Sequence, residues 1–106
     1  MAACAALWSC QSSPSGSSSA PKGNVAGGRE TFSASCAVCH NADSRDRKVG
    51  PGLKGLFHWN ATSGGMKPTE ENIRAKIANG GNGMPPFKDQ LTAPEMDDLI
   101  AYLRTL

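Results

Sequence analysis

The stretch Cys36-Ala37-Val38-Cys39-His40 places two thiols and an imidazole within five consecutive residues. Three uses of such a pair can be weighed first. A structural zinc site needs a second pair of ligands, and the other cysteines, Cys4 and Cys10, lie in an N-terminal stretch that does not read as folded sequence. A thioredoxin-like redox pair would begin a helix in a βαβ context, which the sequence lacks. A simple disulfide leaves the adjoining His40 unexplained.

Covalent attachment of haem accounts for all three side chains. Thiols separated by two residues can each add to one of the two vinyl groups on a porphyrin edge, and the next residue then places an imidazole at the iron. The spacing therefore predicts one haem c, bound through Cys36 and Cys39, with His40 as an axial ligand.

An iron bound to one histidine has a second axial position, and the sequence offers four side chains for it: His58, Met66, Met84 and Met96. Met96 lies on an apolar helical stripe and is expected in the core, whereas Met66 lies in a Gly-rich loop. Met84 lies in Asn79-Gly80-Gly81-Asn82-Gly83-Met84-Pro85-Pro86-Phe87, whose glycines allow close approach to a flat cofactor and whose prolines stiffen the loop. We expect Met84 to be the distal ligand.

Outward from the motif, the sequence predicts three main helices and the all-α class. Residues 27–40 read as a first helix that ends in the motif, and 53–57 as one short helical turn. Thr69 can cap a helix that runs through Asn79, with Gly80 as its stop signal. Thr92 and Glu95 form a capping box for a last helix, whose apolar face is Met96, Leu99, Ile100 and Leu103.

Size and charge restrict the function further. A domain of roughly 80 residues buries little apolar surface and benefits from a large prosthetic group. The formal net charge of the chain is +2, which gives no case for nucleic-acid binding. No apolar run is long enough to span a bilayer.

Several separate motifs in residues 25–106 resemble the class I c-type cytochromes, the compact bacterial monohaem type. In that family a glycine and an aromatic residue of the first helix pack against the last helix; Gly28 and Phe32 hold those places, and Leu99 and Tyr102 resemble their partners. The resemblance implies a cytochrome c fold, with three helices around the haem, and gives these four residues a structural role.

The same resemblance implies further haem contacts. Val49-Gly50-Pro51-Gly52-Leu53 resembles the loop whose proline carbonyl accepts a hydrogen bond from the ligating histidine, so Pro51 would orient His40. Trp59 is expected either to donate its indole N–H to a haem propionate or to be an ordinary core aromatic.

This set of residues predicts a one-electron carrier and not an enzyme, because a His/Met pair fills both axial positions. The expected partners are respiratory or photosynthetic-type redox proteins. We expect this protein itself to be a monomer. A basic segment could steer docking to an acidic partner, with a solvated loop as the alternative; its residues are Arg45, Arg47, Lys48 and Lys54. The competing functions are a subunit of a larger redox complex and a haem-based gas sensor or weak peroxidase.

Residues 1–24 are expected to be a leader and a flexible Ser-rich tether ahead of a cytochrome domain at 25–106. Leu7-Trp8-Ser9-Cys10 looks like the lipobox of a bacterial lipoprotein signal, in which Cys10 becomes acylated. An ordinary cleaved leader or disordered tail is the alternative. Since bacterial haem attachment takes place outside the cytoplasm, the expected location is the periplasm or cell envelope, with a membrane tether at Cys10.

Overall fold

The computed structural model of this protein describes residues 23–106. Helix α1 spans Val25–Ser35, α2 spans Glu70–Asn79 and α3 spans Ala93–Leu103, with a short 3-10 turn at Leu56–His58. Within the described range there is no β-strand, and an isolated bridge joins Gly81 to Met84. The predicted all-α class is therefore confirmed. The predicted leader and tether, with Cys4 and Cys10, lie outside the described residues.

Helix α1 begins earlier and ends earlier than predicted. Asn24 caps its start, since its side-chain oxygen accepts hydrogen bonds from the N–H groups of Ala26 and Gly27. The predicted end at residue 40 is wrong, because the helix ends at Ser35 and residues 36–39 form turns. There the N–H of Ala37 bonds back five residues to the carbonyl of Phe32 (2.9 Å), and that of Cys39 bonds back only three. The regular i to i−4 ladder is thus interrupted.

Helices α2 and α3 agree with their sequence signals. The Thr69 hydroxyl accepts the N–H of Asn72 at the start of α2, and Gly80 is the C-cap. Both hydrogen bonds of the predicted capping box between Thr92 and Glu95 are present. The short helical turn predicted at 53–57 is displaced to Leu56–His58.

The core lies mainly where α1 crosses α3. Phe32 of α1 meets Tyr102 of α3 with ring centroids 5.5 Å apart and planes tilted by 59°, a favourable arrangement of two aromatic rings. Gly28 is buried in the same crossing. The largest fully buried side chains are Leu99 and Ile100. The remaining buried members of this core are Leu56, Ile73, Ile77, Phe87 and Leu103.

An ionic cluster joins α2 to α3. The guanidinium of Arg74 donates to the carboxylates of Glu70, one turn earlier, and of Asp97 in α3. Arg104 reaches Glu70 at 3.6 Å from the other end of α3. Although partial burial by itself lowers the pKa of Arg74, the bonds to Asp97 and Glu70 outweigh it and raise that pKa. The cluster therefore adds an ionic link between α2 and α3 to the packing of Ile73 and Ile77 in the core.

Candidate functional site

The motif Cys36–His40 leaves the end of α1 as a pair of tight turns. Cys36 is the C-cap residue, and its N–H still bonds to the carbonyl of Phe32 at 2.8 Å. Both cysteines are half-buried free thiols. Before haem is attached, burial, together with the charge of Cys39, raises the pKa of the Cys36 thiol to about 11. The hydrogen bond from Cys36 to Phe32 anchors these turns, and with them the two sulfurs, to the end of α1.

The His40 ring is oriented by a backbone carbonyl. Its Nδ1 lies 2.8 Å from the carbonyl oxygen of Pro51. A carbonyl can only accept, so Nδ1 carries the proton and donates it, which leaves the lone pair of Nε2 free to bind a metal. The structure thus brings together His40 and Pro51, the pair that the sequence resemblance implied.

Gly50 is a residue that sequence reasoning did not assign to the site. A Cβ on Gly50 would lie 2.5 Å from Cε1 of His40 and 2.9 Å from Nδ1. The N–H of Gly50 also donates to the carbonyl of Cys39 at 2.7 Å. The absence of a side chain therefore lets the loop lie directly against the imidazole, and its position one residue before Pro51 was the available signal.

Met84 lies in a hairpin formed by residues 81–84, called here the Met84 hairpin. The N–H of Gly81 donates to the carbonyl of Met84 (2.9 Å), and that of Met84 donates to the carbonyl of Gly81 (3.1 Å). The two central residues, Asn82 and Gly83, have φ of 54° and 88°, as in a type I′ turn, for which Asn-Gly is the preferred pair. Met84 itself is half-buried and packs against the core.

The other candidate ligands have different surroundings. His58 is exposed, and Met66 is 39% exposed in a turn whose ends are joined by a bond from the N–H of Thr62 to the carbonyl of Met66. Met96 is partly buried and packs against the core from α3, in line with its expected packing role. Neither exposed residue shares the packing of Met84.

Trp59 is half-buried against the core, and its indole N–H donates to the carbonyl of Lys54 at 3.0 Å. This acceptor is a protein group, in contrast to the haem propionate considered from the sequence. The guanidinium of Arg45 lies over the same ring, 4.3 Å from its centroid. The indole is therefore fixed on its edge and on one face by the protein.

The donor set fits a covalently bound haem. Two free thiols lie two residues apart, and the adjoining imidazole has its Nε2 lone pair available because Pro51 holds Nδ1. Among residues 23–106, no three His, Cys, Asp or Glu side chains converge as a metal cluster. No helix in this range is long and apolar enough to cross a membrane.

Comparisons with known proteins agree with this fit. Residues 23–103 match the family model described as cytochrome c oxidase, cbb3-type, subunit III. Cytochrome c6 of Leptolyngbya boryana is 31% identical over 80 residues, which are 76% of this chain and 89% of that protein. A cytochrome c-553-like protein of Synechocystis is 34% identical over 86 residues, covering 80% and 71% of the two chains.

A solved structure gives the same result. That of cytochrome c6 from the diatom Phaeodactylum tricornutum superposes with a TM-score of 0.60 at 30% identity, covering 78% of this chain and 93% of that one. The chain therefore belongs to the class I monohaem c-type cytochromes. It binds one covalent haem c and is an electron carrier, not an enzyme, as predicted.

Proposed function

We propose that His40 and Met84 are the two axial ligands of the haem and that the protein shuttles single electrons between redox proteins of the periplasm or cell envelope. The observation that carries the proposal is the hydrogen bond from His40 Nδ1 to the Pro51 carbonyl, because it prepares Nε2 as a ligand. The preformed hairpin that holds Met84 supports the second ligand.

When bound, the haem supplies a one-electron couple, and the chain holds it in four places. Cys36 and Cys39 provide the two thioether links, while His40 and Met84 provide one nitrogen and one soft sulfur ligand. A thioether favours the reduced iron, so we expect a moderately high reduction potential. Because both ligands lie on backbone that is fixed by its own hydrogen bonds, little rearrangement accompanies electron transfer.

Trp59 belongs to this site as an apolar wall of the haem pocket. It packs against the same core as Cys36 and Met84, and the bond to the Lys54 carbonyl fixes its edge. A haem propionate would have to replace that carbonyl to accept the indole N–H. We therefore assign Trp59 a packing contact in preference to a hydrogen bond with the haem.

The ligands can be tested by absorption spectroscopy of the protein produced with haem-attachment machinery. The wild type should show a covalent c-type spectrum and the weak far-red Met–Fe(III) band, which Met84→Ala should remove. Met96→Ala and Met66→Ala are the matched controls and should keep the band. A band that survives Met84→Ala, or that is missing from the wild type, would refute the assignment and favour Met66, His58 or an open site.

The basic segment defines the proposed docking surface for an acidic redox partner. Its four cations, Arg45, Arg47, Lys48 and Lys54, are all exposed. The Nζ of Lys48 donates to the carbonyl of Ala37 at 2.8 Å, which holds positive charge beside Val38, and the side chains of Val38 and Val49 are 71% and 68% exposed. The surface therefore combines apolar contact with a positive rim next to the thioether positions.

Small redox reagents can test the charge of this surface without a known partner. Oxidation of the reduced protein by the anion hexacyanoferrate(III) should slow as salt is raised and should slow in Arg47→Gln/Lys54→Gln. A cationic oxidant, a cobalt(III) complex, should show the opposite salt dependence. Lys67→Gln/Lys88→Gln, which also removes two exposed positive charges, serves as a control of equal charge change outside the basic segment. If the oxidation rate does not change with salt concentration or in the double variant, the proposed electrostatic steering is wrong.

A membrane tether through lipidated Cys10 is the proposed means of localisation. The support is the sequence Leu7-Trp8-Ser9-Cys10 ahead of a Ser-rich stretch. In cells that process lipoproteins, the wild type should fractionate with membranes and Cys10→Ala with the soluble periplasmic fraction. Equal distribution of the two proteins would contradict acylation. Size-exclusion chromatography of the Cys10→Ala protein tests the proposed monomer.

A fixed subunit of a redox complex is the second candidate function. It is favoured by the description of the matching family model and by a Corynebacterium diphtheriae protein named cytochrome bc1 complex cytochrome c subunit, 32% identical over 84 residues and matched over 27% of its length. Copurification with a catalytic chain would establish this role. Binding of carbon monoxide by the reduced protein at neutral pH would instead favour a gas sensor or weak peroxidase.

A further inference from the structure

We propose that Lys76 is a positioning residue that holds the Met84 hairpin closed and so slows the replacement of Met84 at the iron by an outside ligand. The inference rests on the proposed His40/Met84 ligation. The Nζ of Lys76 donates to the carbonyl oxygen of Gly81 at 2.9 Å. The same oxygen accepts the N–H of Met84 at 3.1 Å, so one carbonyl connects the ammonium group to the backbone of the ligand.

Lys76 is well placed for this contact. It lies in the last turn of α2, where a cation is favoured by the negative end of the helix dipole. Gly81 has φ of +117°, and a Cβ built on it would lie 3.5 Å from Nζ. Glycine at residue 81 therefore serves mainly to allow the positive φ that turns its carbonyl oxygen toward Nζ, since a Cβ at 3.5 Å would be an ordinary contact.

The hairpin has few other ties. The residues that follow the hairpin are attached to α2. The N–H of Phe87 donates to the carbonyl of Ile77 (3.0 Å), and the N–H of Lys88 donates to the carbonyl of Ala78 (3.2 Å). Within the part of the chain that the structure describes, the Lys76 bond is the one hydrogen bond that joins residues 81–84 to an element outside the hairpin. What else holds Met84 is its packing against the core.

Replacement of Met84 by an outside ligand requires the hairpin to swing away from the haem. The open form is a minor population, and the apparent affinity for an incoming ligand is proportional to it. A hydrogen bond present only in the closed form lowers that population. For a partly exposed bond to a charged donor, its removal should raise the open fraction about fivefold.

Imidazole titration of the oxidised holoprotein tests the proposal, with loss of the far-red Met–Fe(III) band as the signal. Lys76→Leu, which keeps the aliphatic part and removes the donor, should bind imidazole about fivefold more tightly than the wild type. Lys76→Arg restores a cationic donor and should return to within about twofold of the wild type. Lys88→Leu removes an exposed lysine nearby and should leave the affinity unchanged.

Three results would overturn the inference while leaving the proposed ligation intact. One is a far-red band in every variant with an imidazole affinity in Lys76→Leu equal to that of the wild type. The second is an equal gain in imidazole affinity in Lys76→Leu and Lys88→Leu. The third is a Lys76→Arg protein that binds imidazole as tightly as Lys76→Leu. In both cases the effect would not depend on the donor at residue 76. A wild type without the band would overturn the ligation and the inference together.

Discussion

Gly28 in α1 lies against the backbone of Asp98 in α3 so closely that a Cβ on Gly28 would fall 1.9 Å from the Asp98 carbonyl oxygen and 2.6 Å from Cβ of Tyr102. The two helices can reach this separation only because residue 28 has no side chain. Gly28 therefore sets the distance at which Phe32 meets Tyr102.

Gly28→Ala should destabilise the holoprotein by about 3 kcal/mol, because the obstructing atoms belong to the backbone and cannot move aside. Gly27→Ala is the matched control: its Cβ would meet the Asp98 carboxylate at 2.7 Å, a side-chain end that can rotate at the expense of its hydrogen bond from the Asn24 N–H. We expect a loss of less than about 1 kcal/mol there, partly offset by better helix propensity. Denaturant unfolding measures both, and equal losses would contradict this account of the crossing.

Gly50→Ala should disturb His40, the proposed axial ligand, without touching the iron. The new Cβ would lie against the imidazole face, so the ring must turn and the bond to the Pro51 carbonyl weakens. That bond increases the basicity of the ligand and favours Fe(III), so its loss should raise the reduction potential by roughly 20–40 mV. Electrochemistry measures the shift. Gly64→Ala, whose Cβ would have only the Thr62 hydroxyl at 3.9 Å, should leave the potential unchanged.

The sequence predicted those parts of the fold whose signals are local. The capping box at Thr92 and the Thr69 and Gly80 caps define α2 and α3 within a few residues, so both helices were found. The end of α1 was missed because the bond from Ala37 back to Phe32 that interrupts it has no local signature. The spacing of Cys36, Cys39 and His40 predicted the covalent haem c from local sequence, and the ligand role of His40 stays a prediction.

The parts of the site that could not be predicted depend on residues that meet only after folding. The Lys54 carbonyl as the partner of the Trp59 indole, the fit of Gly50 against His40 and the bond from Lys76 to Gly81 are contacts of this kind. The hydrogen bond between His40 and the Pro51 carbonyl was expected only because the sequence resembles a known family. Residue patterns by themselves would not have predicted it.

Two glycines beside Met84 should differ in their tolerance of alanine. Gly80 and Gly83 both have positive φ, but a Cβ on Gly80 would lie 2.4 Å from the Met84 carbonyl oxygen, whereas one on Gly83 meets nothing within 4 Å. Gly83→Ala should lower the free energy of unfolding by about 1 kcal/mol, from backbone strain alone. Gly80→Ala should lower it by about 3 kcal/mol, because the steric clash adds to the strain. The temperature at which the far-red band disappears reports both, and the reverse order would show that the hairpin is held differently.

Arg74→Leu should weaken the docking of α2 on α3. It leaves the carboxylates of Glu70 and Asp97 without their shared cation, and Asp97 is only 24% exposed. We expect a loss of about 1–2 kcal/mol in the free energy of unfolding, smaller at high salt. A double-mutant cycle with Asp97→Asn isolates the pair, and Lys67→Leu controls for the loss of one positive charge. A coupling energy near zero would argue against this ionic link.

The pairing of α1 with α3 also bears on the order in which this protein matures. Gly28 and Phe32, the buried residues of α1, are covered by a helix that is synthesised last among the described elements. A chain emerging from a ribosome or an export channel therefore presents Cys36 and Cys39 before α3 is available to complete the core against which Cys36 packs. Attachment of the haem can take place on an open polypeptide, and the arrival of α3 then closes the domain around it.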